Sequence, residues 1–243
     1  MALESQIDKR KLPRHVGIIM DGNGRWAIKR LQPRLFGHKA GIESLREIVH
    51  ASSDLGIEVL TIYAFSTENW KRPRSEVLGL MNLLIEYFEK EIDELHAKKV
   101  KIKIIGERST LSQHVKATID KAENITKDNN GLIFNVAINY GGRDEIIQGI
   151  KALYKDTIMG KCNIEDLSED MFSDYLFTNS LDNPDLIIRT SGEQRLSNFL
   201  IWQSAYSELY FTDVLWPDFT KSDFYDAICD YQRRKRKFGG IIE

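Results

Sequence analysis

Short apolar runs recur along the chain, and most are separated by segments in which apolar residues repeat every three or four positions. Six runs have the length and composition of buried strands. They are Val16–Met20, Val59–Phe65, Val100–Ile105, Leu132–Asn139, Leu186–Arg189 and Glu208–Phe211. Strands that alternate with helices are typical of parallel sheets. The pattern therefore predicts an α/β fold with a mostly parallel central sheet of about six strands, flanked by helices.

The helical segment between the second and third strands is apolar over a wide face. Its main stripe consists of Val77, Met81, Leu84, Ile85, Phe88, Ile92 and Leu95. Four more apolar residues widen that stripe, namely Leu78, Leu80, Leu83 and Tyr87. Ser75, which follows Pro73, is a candidate N-cap for this helix. A face this wide fits either a helix buried on two sides or one that partly lines an apolar tunnel.

Composition limits the classes of partner. The chain has 243 residues, 42% of them hydrophobic, which is enough for one domain with a substantial core. Its 34 Lys and Arg and 36 Asp and Glu give a formal net charge of −2, so global charge attracts neither nucleic acid nor an anionic membrane. We treat residues 1–243 as a single domain, and expect residues 1–12 to be flexible and residues 233–243 to form a basic tail.

The two cysteines, Cys162 and Cys229, have the spacing of neither a metal site nor a disulfide scaffold. No apolar run reaches the roughly 18 residues of a membrane span. We therefore expect a cytoplasmic protein without a targeting or anchoring segment.

A glycine-rich turn follows the first strand directly, in Asp21-Gly22-Asn23-Gly24-Arg25-Trp26-Ala27. Glycines allow a tight turn whose N–H groups can bind phosphate. The spacing also fits the dinucleotide-binding fingerprint, so a nucleotide-dependent oxidoreductase is one interpretation. Asp21 would then face the phosphates, which favours instead a Mg²⁺ site that a carboxylate shares with substrate phosphates. Asp21 as a helix N-cap is the simplest alternative.

Cationic side chains cluster after this turn and again after the fifth strand. The first cluster comprises Arg25, Arg30, Arg34, His38 and Lys39, and the second comprises Arg189 and Arg195 beside Ser197. Guanidinium groups bind diphosphate oxygens in pairs, and a protonated His38 would add to the first cluster. That cluster could also be a solvated helix face. Two phosphate pockets and a metal-binding carboxylate predict an enzyme that joins two phosphorylated molecules.

Two further segments carry candidate site residues. The second strand ends in Ser66-Thr67-Glu68-Asn69-Trp70-Lys71-Arg72, where the sheet should meet its ligand. Asn69 is suited to orienting a substrate, because an amide is a poor base. The same segment could provide only turn and cap contacts. Glu208 begins an apolar run, and is therefore either a salt-bridge partner or a second metal ligand.

Five blocks of this sequence, in order, resemble the cis-prenyltransferases, and among them the bacterial enzymes that make undecaprenyl diphosphate. The blocks are His15–Trp26, Gly37–Lys39, Tyr63–Pro73, Arg189–Phe219 and Arg236–Gly240. The resemblance covers nearly the whole chain. It implies a homodimeric, Mg²⁺-dependent transferase that extends farnesyl diphosphate with successive isopentenyl diphosphates. The product would be a long-chain polyprenyl diphosphate of the undecaprenyl type, the precursor of the bacterial cell-wall lipid carrier.

The resemblance also implies roles for individual residues. Asp21 and Glu208 would be the Mg²⁺ ligands, and Asp21 and Asn69 the catalytic residues. The allylic diphosphate would be bound by Gly22, Asn23, Gly24, Arg25, Arg34 and His38, with Trp26 beside it. The isopentenyl diphosphate would be bound by Arg189, Arg195, Leu196 and Ser197. The loop that closes over the reacting ends would carry Ser66, Thr67, Glu68, Asn69, Trp70 and Arg72.

The basic tail is implied to reach the partner's site, although Lys237 stands before Phe238 where the family usually has arginine. We expect no nucleic-acid partner, and a transient contact with the membrane surface for product release. The family also contains non-catalytic partner subunits, which is the alternative to an enzyme. The presence of all the implied catalytic and diphosphate-binding residues favours the enzyme.

Overall fold

Six strands form one parallel sheet at the centre of this computed structural model, which describes residues 6–235. The strands are β1 (His15–Ile19), β2 (Val59–Ser66), β3 (Lys101–Ile105), β4 (Ile133–Tyr140), β5 (Leu186–Arg189) and β6 (Glu208–Phe211). Their order across the sheet is β3-β4-β2-β1-β5-β6, and every neighbouring pair is parallel. The α/β prediction is confirmed, and no predicted strand end is more than one residue away from the observed end.

Seven α-helices connect and cover the strands in the described part of the chain. They are α1 (Asn23–Lys29), α2 (Arg34–Leu55), α3 (Arg74–Ala97), α4 (Gln113–Thr126), α5 (Gly142–Ile158), α6 (Glu169–Ser173) and α7 (Lys221–Arg233). The N-cap of α3 is Pro73, so the prediction that Ser75 caps this helix was wrong. Arg74 already begins the helix, because the carbonyl of Pro73 accepts the first helical hydrogen bonds, from the N–H groups of Glu76 at 2.9 Å and Val77 at 3.1 Å.

Apolar layers cover both faces of the sheet, as the alternation in β5 illustrates. Leu186 and Ile188 belong to the larger core cluster, which also contains buried residues of α2, α3, α4 and α7. Ile187 points to the opposite face, where it joins a smaller cluster with Phe199 and Leu200. Because both faces are covered, the strands are apolar runs rather than alternating ones.

The beginning and the end of the described chain lie together. Ile7 is buried, and Asp8 N–H donates to Gln232 Oε1 at 3.1 Å while Gln232 Nε2 donates to the carbonyl of Asp8 at 2.8 Å. Part of the segment expected to be flexible is thus packed against α7. Residues 1–5 and most of the predicted tail, including Lys237, lie outside the described residues.

The wide face of α3 borders a cavity of about 320 Å³ between α2, α3 and the sheet. The α3 residues that line it are Leu80, Met81, Leu83, Leu84, Tyr87 and Phe88. Leu78, at the edge of the predicted face, is instead 54% exposed. Leu80, Leu83 and Tyr87 thus line the cavity, while α3 also packs against both α2 and α4, so both interpretations of its wide face hold. Asp21, Asn69 and Arg189 also line this cavity, at the carboxyl ends of three strands.

Candidate active site

Asp21 lies two residues beyond the end of β1, where it meets the end of the neighbouring strand β5. One carboxylate oxygen, Oδ1, accepts a hydrogen bond from Gly22 N–H at 2.7 Å. The other, Oδ2, accepts one from Arg189 Nη2 at 2.9 Å. Asp21 is not a helix N-cap, because α1 is capped by Gly22, in the left-handed region at φ 107°, without a side-chain bond. The side chain remains 32% exposed, so an incoming ligand can reach it.

Opposing effects act on the pKa of Asp21. Burial raises the pKa. The hydrogen bond and charge of Arg189, the Gly22 N–H and the charge of Arg25 together lower it by more, so the net shift is downward. Asp21 is therefore a carboxylate at neutral pH. A partly accessible anion, held in place by an arginine, is a suitable ligand for a hard divalent cation.

The glycine-rich turn allows cationic side chains to approach the backbone. A Cβ on Gly24 would lie 2.8 Å from the guanidinium carbon of Arg34, so a larger residue would displace the end of that side chain. A Cβ on Gly41 of α2 would lie 2.5 Å from Asn23 Oδ1, an oxygen that is buried without a hydrogen-bond partner. Asn23 itself lines the cavity. The predicted allylic pocket residues Gly22, Asn23, Gly24 and Arg34 are thus neighbours.

Glu76 on α3 connects the glycine-rich turn to the segment after β2 that carries Arg72. Its Oε1 lies 3.6 Å from Arg34 Nε and accepts a hydrogen bond from Arg72 Nη1 at 3.0 Å. His38 lies close enough to feel all three charges, and burial together with Arg72 and Arg34 lowers its pKa to about 4 against the opposing effect of Glu76. A protonated His38 would add to the cationic cluster, but these surroundings favour its neutral form.

The segment after β2 forms a one-turn 3₁₀ helix, Thr67–Lys71. Ser66 and Asn69 make a capping box, in which Asn69 Oδ1 accepts from Ser66 N–H at 3.1 Å. Trp70 Nε1 donates to Asn139 Oδ1 at 2.6 Å, and Asn198 Nδ2 donates to Glu68 at 2.9 Å. The cap interpretation is confirmed for this segment, and it coexists with a place at the site, since Asn69 lines the cavity. With its oxygen engaged, Asn69 has its NH₂ group left to donate to a ligand.

The second predicted pocket is formed by the loop between β5 and β6. Arg189 is 3% exposed, and its Nη1 donates to Ser197 Oγ at 2.7 Å and to the carbonyl of Arg195. Arg195 itself is 60% exposed and pairs with Glu193 at 2.5 Å. Leu196 is half-buried against the smaller core cluster, which anchors the loop between these polar residues. Arg189 therefore positions the loop, while the guanidinium of Arg195 is accessible to a ligand.

Arg25 and Trp26, which are adjacent on α1, contact different parts of the protein. Arg25 donates to Ser191 and lies 3.3 Å from Glu193, so it joins the two predicted pockets. Trp26 Nε1 donates to Asp218 at 2.6 Å, and Arg30 lies over its ring at 3.7 Å from the centroid. The structure thus places Trp26 in a surface cluster beside the site.

Glu208 is not near Asp21 in this chain. It begins β6 and pairs in register with Leu186, which in turn pairs with Val16. That register puts Glu208 at the amino edge of the sheet, whereas Asp21 lies beyond the carboxyl edge. Its carboxylate accepts a hydrogen bond from Arg234 Nη1 at 2.8 Å. The salt-bridge alternative is therefore observed, and the two predicted metal ligands are not brought together within one chain.

The Prenyltransf family model, described as "Putative undecaprenyl diphosphate synthase", matches residues 19–239. The chain belongs to this prenyltransferase family. An isoprenyl transferase of Streptococcus pneumoniae strain R6 is 55% identical over 235 residues, which cover 95% of this chain and 93% of the relative. An isoprenyl transferase of Clostridium perfringens is 54% identical over 231 residues, or 95% and 91% of the two chains. Membership in the prenyltransferase family does not favour the oxidoreductase interpretation of the glycine turn.

Solved structures show the same prenyltransferase fold. Lavandulyl diphosphate synthase from Lavandula x intermedia, crystallised with dimethylallyl diphosphate, superposes with a TM-score of 0.92 at 36% identity and covers 95% of this chain and 99% of its own. A "probable undecaprenyl diphosphate synthase" from Campylobacter jejuni superposes with a TM-score of 0.78 at 32% identity, covering 93% and 98%.

Sequence reasoning missed several residues that organise this candidate site. Each arginine of the site is paired with a carboxylate, and two of the three carboxylates, Glu76 and Glu193, were not predicted as site residues. Asn139 and Asn198 hold the loop after β2, and Ser191 accepts from Arg25. These residues meet their partners only because of the order of the strands, so no local motif predicts the contacts. The one sign in the sequence that such partners were needed was that arginines outnumber the acidic residues close to them.

One other cluster of metal-binding side chain types occurs in the described chain, at His50, Glu91 and Glu94 between α2 and α3. Arg46 already pairs with both carboxylates, at 3.0 Å and 2.6 Å. Because an arginine neutralises these acids, the cluster is accounted for as an ion-pair network. None of the described helices combines the length and apolarity needed to cross a bilayer.

Proposed function

We propose that this chain is a cis-prenyltransferase that condenses farnesyl diphosphate with successive isopentenyl diphosphates. The product would be a long-chain, undecaprenyl-type diphosphate that serves as precursor of the bacterial cell-wall lipid carrier. The observation that carries the proposal is the position of Asp21. This carboxylate lies between two arginine-rich loops and at the mouth of an apolar cavity.

The two arginine-rich loops divide the substrates between them. The allylic diphosphate would bind to the turn at Gly22–Arg25, with Arg34 and His38, because this loop opens toward the cavity that would take the farnesyl chain. The isopentenyl diphosphate would bind to Arg195 and Ser197, held by Arg189. The carboxylates of Asp21, Glu76 and Glu193 keep these arginines in place. Bound diphosphates would take over as their anionic partners.

Asp21 also fits a Mg²⁺ ion. Magnesium is commonly held by one or two carboxylates together with substrate phosphate oxygens and water, and Asp21 offers a partly exposed carboxylate between the two diphosphate pockets. When bound, the ion would offset the negative charge that develops on the departing diphosphate.

The protein's own groups would stabilise the same charge. As the allylic carbon–oxygen bond breaks, electrons pass to the diphosphate, and prepositioned guanidinium and N–H groups act most strongly where water is excluded. Asn69, with its oxygen fixed by Ser66, would orient the isopentenyl group through its NH₂. A diphosphate oxygen would accept the proton lost from the isopentenyl unit, since an amide is too weak a base. The short helix at Thr67–Lys71 would close over these reacting ends.

The cavity would hold the growing hydrocarbon, and so act as the inner part of an apolar tunnel. Its lining by α2, α3, β2 and β4 is mostly apolar, with polar residues gathered at one end. Removing a prenyl chain from water into such a site is favourable in proportion to the apolar area buried.

We also propose a homodimer in which each active site is completed by the other subunit. A stripe of apolar side chains on α5 is exposed, formed by Ile147, Ile150, Tyr154 and Ile158. Glu208 is bonded to Arg234, directly before the basic tail that the family resemblance sends to the partner. Glu208 would then reach the Asp21 site of the second chain, which explains why it lies far from its own. The free cysteines support the cytoplasm as the location, with transient membrane contact for product release.

The experiment is an incubation with farnesyl diphosphate and labelled isopentenyl diphosphate, with Mg²⁺ or with a chelator, followed by sizing of the dephosphorylated products. We expect a Mg²⁺-dependent ladder that ends in a long polyprenol. No incorporation under either condition would reject the proposal in favour of a non-catalytic partner subunit. The presence of Asp21, Arg189 and the paired arginines around them argues against that alternative.

A further inference from the structure

Asn198 lies in the loop between β5 and β6, where it joins this loop to two other parts of the protein. Its side chain is half-buried, and it directly follows Ser197. Its backbone is in the left-handed region at φ 67°, as are those of Ser197 at φ 47° and Leu200 at φ 44°. Few residues other than glycine adopt this region readily, although asparagine is one of them. Three such residues so close together indicate a loop whose shape is held by its contacts.

The first contact of Asn198 is with the beginning of α5. Its carbonyl accepts a hydrogen bond from Gly142 N–H at 2.7 Å, and its side-chain Oδ1 accepts one from Arg143 N–H at 2.9 Å. Gly141, the N-cap of α5, makes no side-chain cap bond of its own. The first N–H groups of a helix need acceptors from outside the helix, and a distant loop supplies two of them here. Asn198 is therefore fixed to the end of a long helix.

The second contact is with the segment after β2. Asn198 Nδ2 donates to Glu68 Oε1 at 2.9 Å. Only this orientation of the amide satisfies both partners, because a backbone N–H needs an acceptor and a carboxylate needs a donor. Burial raises the pKa of Glu68, but hydrogen bonds from its own N–H, from Asn198 and from two hydroxyls lower it by more. The bond therefore joins an amide donor to an ionised acid.

The neighbours of these two residues are candidate substrate contacts. Ser197 precedes Asn198, accepts from Arg189 Nη1 at 2.7 Å, and belongs to the proposed isopentenyl diphosphate pocket. Asn69 follows Glu68, and would orient the isopentenyl group through its NH₂. One hydrogen bond, between residues 130 positions apart, thus connects the loop for the diphosphate of this substrate to the segment for its reacting end.

We propose that Asn198 is a positioning residue that couples the binding of isopentenyl diphosphate to the orientation of Asn69. This inference rests on the proposed function. A diphosphate bound to Arg195 and Ser197 would stabilise the left-handed loop, and so keep Asn198 Nδ2 where it holds Glu68. The short helix after β2 would then stay over the reacting ends, with Asn69 directed at the substrate. Asn198 would contact neither substrate, and would act only through Glu68.

The substitution Asn198→Asp separates this role from the capping of α5. Its carboxylate keeps both acceptors for the helix, and a negative charge is favourable at a helix N-terminus. It also replaces the donor to Glu68 with an oxygen of like charge. Glu68→Gln supplies a new donor, so the double variant Asn198→Asp/Glu68→Gln can re-form the bond in the opposite direction.

Asn163→Asp is the matched control. Asn163 follows the other end of α5, and its Oδ1 also accepts a backbone N–H, that of Glu165 at 3.2 Å. The control therefore adds the same charge at a capping asparagine outside the candidate site. For wild type, both single variants at the contact, the double variant and the control, we would measure the thermal unfolding midpoint, the Kd of a non-reactive farnesyl diphosphate analogue, and kcat and KM for isopentenyl diphosphate.

We expect Asn198→Asp to unfold at the wild-type temperature or above it, and to bind the farnesyl analogue within about twofold of wild type. Its kcat/KM for isopentenyl diphosphate should fall about tenfold, because repulsion replaces a charge-assisted hydrogen bond. The double variant should lose much less than the product of the two single losses, since the contact is restored. Asn163→Asp should match wild type in all three measurements.

Wild-type kinetics in Asn198→Asp would overturn the inference and leave the proposed function standing. Losses that simply multiply in the double variant would also overturn it, because the two side chains would then act independently. A lower unfolding temperature with equal losses for both substrates would show a structural role instead. If wild type itself incorporates no isopentenyl units, the proposed function fails, and this inference fails with it.

Discussion

Asp21 and Glu208 were predicted as a pair of metal ligands, yet they lie at opposite edges of the same sheet. Asp21 follows the end of β1 and accepts a hydrogen bond from the buried Arg189. Glu208 starts β6 and accepts one from Arg234. The two regions also differ in surroundings. The carboxyl edge gathers arginines and a cavity, whereas the amino edge carries surface ion pairs such as that of Arg14 with Glu58.

The difference shows what a carboxylate next to a strand does and does not indicate. Ligands of parallel α/β sheets bind beyond the carboxyl ends of the strands, so a residue after a strand belongs to the site of its own chain. A residue before a strand faces the other way. If Glu208 serves catalysis, it must do so in a second subunit, and the amino edge of one chain becomes part of the carboxyl edge of another.

The largest expected effect is that of Asp21→Ala. We expect turnover to fall at least about a hundredfold, or about 2.7 kcal/mol of barrier, since both the proposed Mg²⁺ ligand and the partner of Arg189 are lost. Steady-state kinetics at saturating Mg²⁺ would measure it. Asp182→Ala, which removes a carboxylate at the amino edge, is the control and should stay near wild type. A loss of less than tenfold in Asp21→Ala would contradict a direct role.

Mixing two inactive variants would test whether the edges meet across a dimer. We expect Glu208→Gln alone to lose about tenfold or more of the activity, since the proposed site of the partner loses a ligand. When it is unfolded and refolded together with Asp21→Ala, half of the dimers should be mixed, each with one intact site, so about a quarter of wild-type activity should return. Activity that stays at the sum of the two variants would show that Glu208 does not act in the partner.

The two arginine pockets should separate kinetically. Arg195→Ala is expected to raise the KM for isopentenyl diphosphate about tenfold, because a charge-assisted contact is lost, and to leave farnesyl diphosphate little affected. Arg34→Ala should show the reverse. Arg14→Ala, which removes an exposed arginine at the amino edge, is the control. Equal losses for both substrates in either variant would reject the division between pockets.

The smallest expected effect is on the pH dependence of stability, and it involves two histidines, one at each edge of the sheet. His15 is buried at the start of β1, where Nδ1 donates to the Asp182 carbonyl and Nε2 accepts from Thr61, and burial lowers its pKa to about 4. The pKa of His38 is also lowered to about 4. Below the unfolded pKa of about 6.5 the unfolded chain binds more protons, so stability should fall from pH 6.5 toward pH 4, by roughly 1–3 kcal/mol for each histidine.

Diphosphate binding should distinguish these histidines. A bound allylic analogue should raise the pKa of His38, because an anion favours the imidazolium, and leave that of His15 unchanged. Histidine resonances followed by NMR across pH 4–8, with and without the analogue, would measure both. A parallel shift of both histidines, or of neither, would contradict the assignment of His38 to the allylic pocket.

Much of this fold could be predicted because its signals are local. The six strands are apolar runs between helices. The cationic residues after β1 are close to one another in the sequence, and so are those after β5, so each cluster could be recognised locally. Other features depend on which strands become neighbours. The bonds of Arg189 to Asp21 and of Glu68 to Asn198 join segments more than a hundred residues apart. The lowered pKa of His38 likewise follows from burial and from the charge of Arg72, which lies on a distant segment of the chain.

The central claim is that the carboxyl edge joins two diphosphate substrates with loss of one diphosphate. The most direct measurement is the ratio of inorganic diphosphate released to isopentenyl units incorporated, with Mg²⁺ and with a chelator. We predict one diphosphate for each unit with Mg²⁺, and neither release nor incorporation with the chelator. Release of diphosphate without incorporation, or extension that persists in the chelator, would contradict the account.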